Sequence, residues 1–167
     1  QFGFKQGSGC QHAVYVMQSI TDHFNNRDSC VYIASLDASK AFDRLDHNCL
    51  YKKLLSRGMP LCFINILRNW YGKLTAAVRW QGVLSSSVSI SAGVRQGGVL
   101  SPILFNIYMD ELILKLKDSG YGCHINRVFY GCIMYARDIL VLSASVFGLQ
   151  KLLKYMSCIQ CNCWFNF

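Results

Sequence analysis

Residues Val128 to Leu149 form a mostly apolar stretch almost long enough to cross a bilayer, with Arg137 and Asp138 at its middle. A charged residue at a bilayer centre costs about 2.5–3.5 kcal/mol, whereas each apolar residue returns only a few tenths. The stretch therefore reads as a soluble hairpin: Phe129 to Ala136, a tight turn carrying Arg137 and Asp138, then Ile139 to Ser143. A second hairpin is expected at Thr75 to Trp80 and Val83 to Ile90, around Gln81-Gly82. Two hairpins cannot come from parallel crossovers, which need a connecting helix.

The remaining pattern is helical. Val16, Ile20 and Phe24 mark a face over His12 to Phe24. Cys30 to Leu36 is a short β-branched run, expected as a buried strand ending at Asp37. Asp46 suits the N-cap of a helix through Leu50, Leu54 and Leu55, with Gly58 just beyond it. Pro60 suits the first turn of the next helix, through Ile64, Leu67 and Tyr71. Ser101 is placed to cap a helix from Pro102 to about Lys117, and a last helix runs from Val146 to Cys158. The order predicts an α+β fold, an antiparallel sheet with helices packed mainly on one face.

Apolar residues make up 52% of the 167 and charged residues 16%, which excludes a disordered chain. The net charge of +8 points to a polyanionic partner. Glu111 is the sole glutamate, so carboxylate chemistry must rest mainly on Asp. The nine cysteines are odd in number and scattered, and no secretory signal accompanies them, so reduced thiols in an intracellular protein are expected. Cys158, Cys161 and Cys163 are spaced C-x-x-C-x-C. A zinc site would want a fourth ligand, so a small-hydrophobe face on a helix end is the plainer reading.

Three segments could carry chemistry, and each alone has an ordinary explanation. Asp37 opens Asp37-Ala38-Ser39-Lys40-Ala41-Phe42-Asp43 at a strand end, where an Asp either holds a metal or simply makes a turn. Gly93-Val94-Arg95-Gln96-Gly97-Gly98-Val99-Leu100-Ser101-Pro102 is a glycine-rich loop before a helix, suited to close ligand approach. Tyr135-Ala136-Arg137-Asp138 is a turn between apolar strands.

Together and in this order, the three segments resemble the reverse transcriptases of non-LTR (LINE-type, jockey-like) retrotransposons. That family reads D-x-S-K-A-F-D, matched by Asp37 to Asp43, and G-V-R-Q-G-x-x-L-S-P-x-L-F-N, matched by Gly93 to Asn106. Gln1-Phe2-Gly3-Phe4 resembles the family's Q-x-G-F opening of the fingers. The resemblance implies a fingers-to-palm fragment of a right-handed polymerase, with residues 1–29 ending the fingers and 30–167 forming the palm. The start of the fingers, the thumb and an endonuclease domain are expected to lie outside it.

The same resemblance implies partners and roles. RNA template, DNA primer and deoxynucleotides are the expected partners, with no membrane, in the nucleus or cytoplasm. The family's reaction is template-directed DNA synthesis on RNA, with two Mg²⁺ ions stabilising the attacking and leaving oxygens. By motif, Asp37 and Asp138 are the metal-binding and catalytic carboxylates, and the Ala38 carbonyl adds a ligand. Phe42 gates the sugar, and Gln96 with Gly97 lines the nucleotide; the ordinary alternatives are a core Phe and polar loop residues. Lys52, Lys53, Arg57, Arg68, Lys73 and Arg79 either contact an RNA–DNA duplex or form a solvated helix face.

One departure matters. The family's turn reads Y-A-D-D, and Arg137 takes the place of its first, directly ligating Asp. A guanidinium offers five donors and no acceptor, and it stays charged. An inactive polymerase domain is therefore expected, with a non-catalytic RNA- and DNA-binding palm as the alternative. Arg137 is expected either to fold back on Asp37 or Asp138 as a counter-ion or to point into solvent.

Overall fold

The apolar stretch interrupted by Arg137 and Asp138 does fold back on itself, and the sheet it builds organises half of the chain. The structure is a computed structural model that describes residues 1–38 and 42–160, with side chains described through residue 157. Ser39, Lys40 and Ala41 of the first motif, and the side chains of Cys158, Cys161 and Cys163, lie outside the described residues. The elements in chain order are α1 (Cys10–Asn25), β1 (Tyr32–Asp37), α2 (His47–Ser56), α3 (Leu61–Gly72), β2 (Thr75–Ala76), β3 (Arg79–Trp80), β4 (Val83–Leu84) and β5 (Val88–Ser89). They continue with α4 (Ser101–Asp118), β6 (His124–Ile125), β7 (Val128–Phe129), β8 (Cys132–Tyr135), β9 (Asp138–Ser143) and α5 (Val146–Gln160). Two units divide them: Gln1–Ala41 with Met109–Phe167, and Phe42–Tyr108.

In the first unit, β1, β9 and β8 form an antiparallel sheet in that order. β9 is central, and Ile139, Val141 and Leu142 on it are fully buried. Alternation sends Leu142 to one face and Ser143 to the other. Ala13 and Ile20 of α1 pack with Ile133 and Leu142 on the first face. α5 lies against β9 and β1 on the second, where Gly148 approaches Ser143 so closely that a Cβ would sit 2.5 Å from its Oγ. Helix α5 starts where sequence places it, and the Ser145 hydroxyl accepts the Gly148 N–H at 3.0 Å. The class is α+β with an antiparallel sheet, as the element order implies.

β1 corrects the expectation of a buried strand. Among the described residues it is an edge strand with a single neighbour, and Tyr32, Ile33, Ser35 and Asp37 are exposed on it. An apolar β-branched run marks a strand, but cover depends on position in the sheet, and β9 takes the centre. The hairpin His124–Phe129, turning on Asn126 and Arg127 with φ of 50° and 66°, carries no clear alternation in sequence because its strands are two residues long.

In the second unit, the Asp46 carboxylate accepts the Cys49 N–H at 2.7 Å and caps α2 as expected. Pro60 stands at the N-cap of α3 rather than inside its first turn. Leu50, Leu54, Ile64 and Leu67 form the apolar contact faces of these helices and are about 1% exposed or less. The β2–β5 arm turns on Gln81-Gly82 as predicted, but it is split into two pairs where the Ser85 hydroxyl accepts the Val78 N–H. Among the described residues, no helix is long and apolar enough to cross a membrane.

Candidate active site

The register of the first unit's sheet sets Asp37 directly opposite Asp138, and Asp138 opposite Tyr135. Residues opposed across antiparallel strands share a face, with Cα atoms about 4.5–5.5 Å apart. The two strand ends that metal-dependent transfer would need thus converge at one sheet edge. The turn itself is one residue earlier than expected. Tyr135 pairs with Asp138, so Ala136 and Arg137 form the two-residue tip and Asp138 begins β9. Ala136 holds φ +54° there. The Ala38 N–H donates to the Arg137 carbonyl at 3.0 Å, and Ala38 is 1% exposed, so the tip is pinned to the end of β1.

Arg137 folds back. Its Nε lies 3.5 Å from Asp37 Oδ1, with both side chains more than half exposed. Of the two orientations open to the sequence, the counter-ion is the one adopted, toward Asp37. Exposed ion pairs contribute about 0–1 kcal/mol. Arg137→Ala is therefore expected to lower the melting temperature by no more than about 4 °C, given 2–4 °C per kcal/mol at this size. A larger loss in a thermal melt would mean that the pair has a structural role beyond charge.

A pair of Mg²⁺ ions does not fit this donor set. Hard cations need several oxygen ligands. The edge offers two carboxylates, one of them already paired with a guanidinium. No group of three His, Cys, Asp or Glu side chains suited to a metal exists among the described residues.

Gly3 packs against the turn, a placement that no local sequence pattern signals. The Phe2 N–H donates to the Met134 carbonyl at 2.8 Å, laying the N-terminal segment along β8. A Cβ on Gly3 would fall 2.2 Å from the Ala136 nitrogen and 2.8 Å from its Cα. The glycine of Gln1-Phe2-Gly3-Phe4 is thus a contact surface for the turn, a relation between residues 133 positions apart that no local pattern could signal.

The second unit holds the rest of the motifs. The Val94 N–H donates to the Phe42 carbonyl and the Gly93 N–H to the Leu45 carbonyl, each at 2.7 Å. Gln96 Nε2 donates to Asp43 Oδ1 at 3.1 Å. The glycine-rich loop is therefore stitched to the residues that follow the first motif. Phe42 is half-buried and stacks on Phe105, with centroids 4.6 Å apart. Gln96 and Gly97 are exposed. Ser101 does not cap α4; it is the helix's first residue, and its hydroxyl donates to the Arg95 carbonyl at 2.5 Å, closing the loop. His47, just after the first motif, makes a contact that the sequence does not announce. Its Nε2 lies 2.6 Å from the Gly93 carbonyl, and its ring sits 4.7 Å from that of Tyr71. A carbonyl only accepts, so Nε2 carries the proton.

The basic residues separate. Lys53 donates to the Tyr108 carbonyl at 2.6 Å and its Nζ lies 4.2 Å from the Tyr108 ring centroid, so it is committed inside the unit. Lys52, Arg57, Arg68, Lys73 and Arg79 are exposed. The thiols of Cys123 and Cys132 are pushed up by burial, to about 11 and about 12. Cys10, Cys30, Cys49 and Cys62 are likewise in no disulfide.

The family described as reverse transcriptase (RNA-dependent DNA polymerase) matches residues 1–159. The Drosophila melanogaster retrovirus-related Pol polyprotein from type-2 retrotransposable element R2DM is 33% identical over 153 residues, 92% of this chain and 14% of that protein. A type-1 element R2 polyprotein of Nasonia vitripennis is 31% identical over 74% of this chain and 12% of its own length. The probable RNA-directed DNA polymerase from transposon X-element of Drosophila melanogaster is 29% identical over 67% of this chain and 12% of its own length. The chain thus spans only about a seventh of these relatives. Among solved structures, apo telomerase from Candida tropicalis truncated from its C-terminal domain superposes with a TM-score of 0.64 over 90% of this chain and 31% of that one. At 16% identity, that likeness speaks to the fold. With its three motifs in order along residues 1–159, the chain belongs to the reverse transcriptase family, and its relatives are R2 and other non-LTR retrotransposon polymerases.

Proposed function

We propose that the chain is the fingers-to-palm part, residues 1–29 and 30–167, of an intracellular polymerase that engages an RNA template and a DNA primer, and that Arg137 silences nucleotidyl transfer in it. The observation that carries this reading is the contact of Arg137 Nε with Asp37 Oδ1 at 3.5 Å. It places a fixed positive charge against a carboxylate that, by motif, would face the metals. Phe42, Gln96 and Gly97 are the residues assigned to the nucleotide, with Ala38 beside Asp37. The test is primer extension by a chimaera in which residues 1–159 replace the matching segment of the Drosophila R2 relative. No Mg²⁺-dependent product is expected; robust synthesis would show that Arg137 does not occupy a ligand position.

The second reading, a palm that binds nucleic acid without chemistry, is favoured by the net charge of +8 and by the exposed Lys52, Arg68, Lys73 and Arg79. Each phosphate contact on B-form DNA contributes about −0.9 to the slope of log affinity against log salt, so four contacts predict a loss of roughly 100-fold between 50 and 200 mM salt. The check is fluorescence anisotropy with a labelled duplex of arbitrary sequence. An affinity that holds constant over that range removes the electrostatic basis of this reading.

A further inference from the structure

Helix α5 turns Gly148, Leu152 and Met156 toward the sheet, the last two fully buried. Its outer side carries Phe147, Lys151, Lys154 and Tyr155, spaced i, i+4, i+7 and i+8. Phe147 is 60% exposed and Tyr155 44%. An outward helix face is ordinarily polar, and two large rings on it ask for an explanation. Tyr121, from the segment after α4, stands over them. Its centroid is 6.1 Å from that of Phe147 and 6.4 Å from that of Tyr155. Tyr121, Lys151, Lys154 and Tyr155 line an open recess of about 250 Å³.

The two lysines make this more than an apolar patch. Lys151 Nζ lies 5.2 Å from the Phe147 centroid, and neither ammonium has a carboxylate partner among the described residues. Unpaired cations beside exposed aromatic faces suit a ligand that is both anionic and planar. Single-stranded nucleic acid is that ligand: stacked bases on aromatic side chains, phosphates on cations. The recess is smaller than the roughly 300–1,000 Å³ of a small-molecule pocket, so it takes one planar group from a passing strand rather than enclosing a free ligand. A duplex hides its base faces and could use only the lysines.

We propose that Tyr121, Phe147 and Tyr155 with Lys151 and Lys154 form a single-strand nucleic-acid site on the outer face of α5. It shares with the proposed function only the class of partner. It involves neither the Asp37–Asp138 edge nor the basic residues of the second unit.

The test uses this chain and a labelled 12-residue oligouridylate in fluorescence anisotropy. Phe147→Ala and Tyr155→Ala should each weaken binding by about 10-fold, as the loss of one base-stacking platform does. K151E/K154E should lower the log–log salt slope by about 1.4, the equivalent of two single-strand contacts. All four positions are at the surface, and circular dichroism would verify that each variant folds. A 4-thiouridine strand should crosslink at Tyr121 or within residues 146–157, a readout independent of affinity. Unchanged affinity and slope in these variants, or crosslinks confined to other segments, would overturn the site. So would complete competition by millimolar uridine monophosphate or by an equal concentration of duplex. The duplex-binding and primer-extension tests above stand or fall separately, since none of these substitutions touches the residues they concern.

Discussion

Arg137→Asp, made in the R2 chimaera, is expected to raise Mg²⁺-dependent primer extension from background by at least about 10³-fold. The effect is electrostatic. A unit charge about 4 Å from another interacts by roughly 4 kcal/mol at an effective dielectric near 20. Each 1.36 kcal/mol of barrier is tenfold in rate. Reversing the sign at residue 137 removes one such repulsion and adds one attraction. It also frees Asp37 from the guanidinium now 3.5 Å away. Arg137→Ala separates the two contributions, since it deletes the cation without supplying a carboxylate and should recover far less. Template–primer affinity should be nearly equal in all three forms, because the effect belongs to the transition state and is seen in kcat. If the chimaera with Arg137 is already active, or if Arg137→Asp binds template–primer normally and stays silent, the silencing role proposed for Arg137 fails.

What sequence could reveal follows from the range over which each interaction acts. The α5 start, the Asp46 cap and the Gln81-Gly82 turn are local chemistry, and all three occur where the residues place them. The convergence of Asp37 and Asp138 was legible because a motif order constrains strand ends, and the register sets them opposite each other. Cover over β1 was not legible, because it depends on which strand takes the centre of the sheet. Nor were the contacts of Gly3 with Ala136 and of His47 with Gly93, which join residues far apart in the chain. Ser101 shows how a local rule yields to a tertiary demand. Its hydroxyl could cap a helix, but the Arg95 carbonyl of the tightly folded loop claims it.

Gly93→Ala is expected to be the most damaging single-methyl change in the second unit, costing about 3 kcal/mol or more, with a melting temperature lower by roughly 10 °C. Two penalties coincide. Gly93 has φ +90°, where a residue with a side chain is strained. A Cβ there would also lie 2.7 Å from the Asp43 carbonyl oxygen and 2.8 Å from the Asp43 Cα and the Phe42 oxygen. These are backbone atoms, so no side chain can swing away to make room. Retreat of the loop would stretch the 2.7 Å bonds from Gly93 to Leu45 and from Val94 to Phe42, and the 2.6 Å bond from His47. Gly97→Ala is the internal control. Gly97 has a similar φ, +79°, yet nothing lies within 4 Å of its would-be Cβ. It should cost only the backbone strain, about 1 kcal/mol. Gly3→Ala would create a still closer contact, 2.2 Å, but the segment before α1 can peel from the turn, which caps the loss of stability. Amide exchange should therefore rise across residues 42–47 in Gly93→Ala, and only in residues 1–4 and the Ala136 turn in Gly3→Ala. Equal melting temperatures for Gly93→Ala and Gly97→Ala would mean that the loop is not held against Phe42 and Asp43, and that the nucleotide-facing roles assigned to Phe42 and Gln96 lack their scaffold.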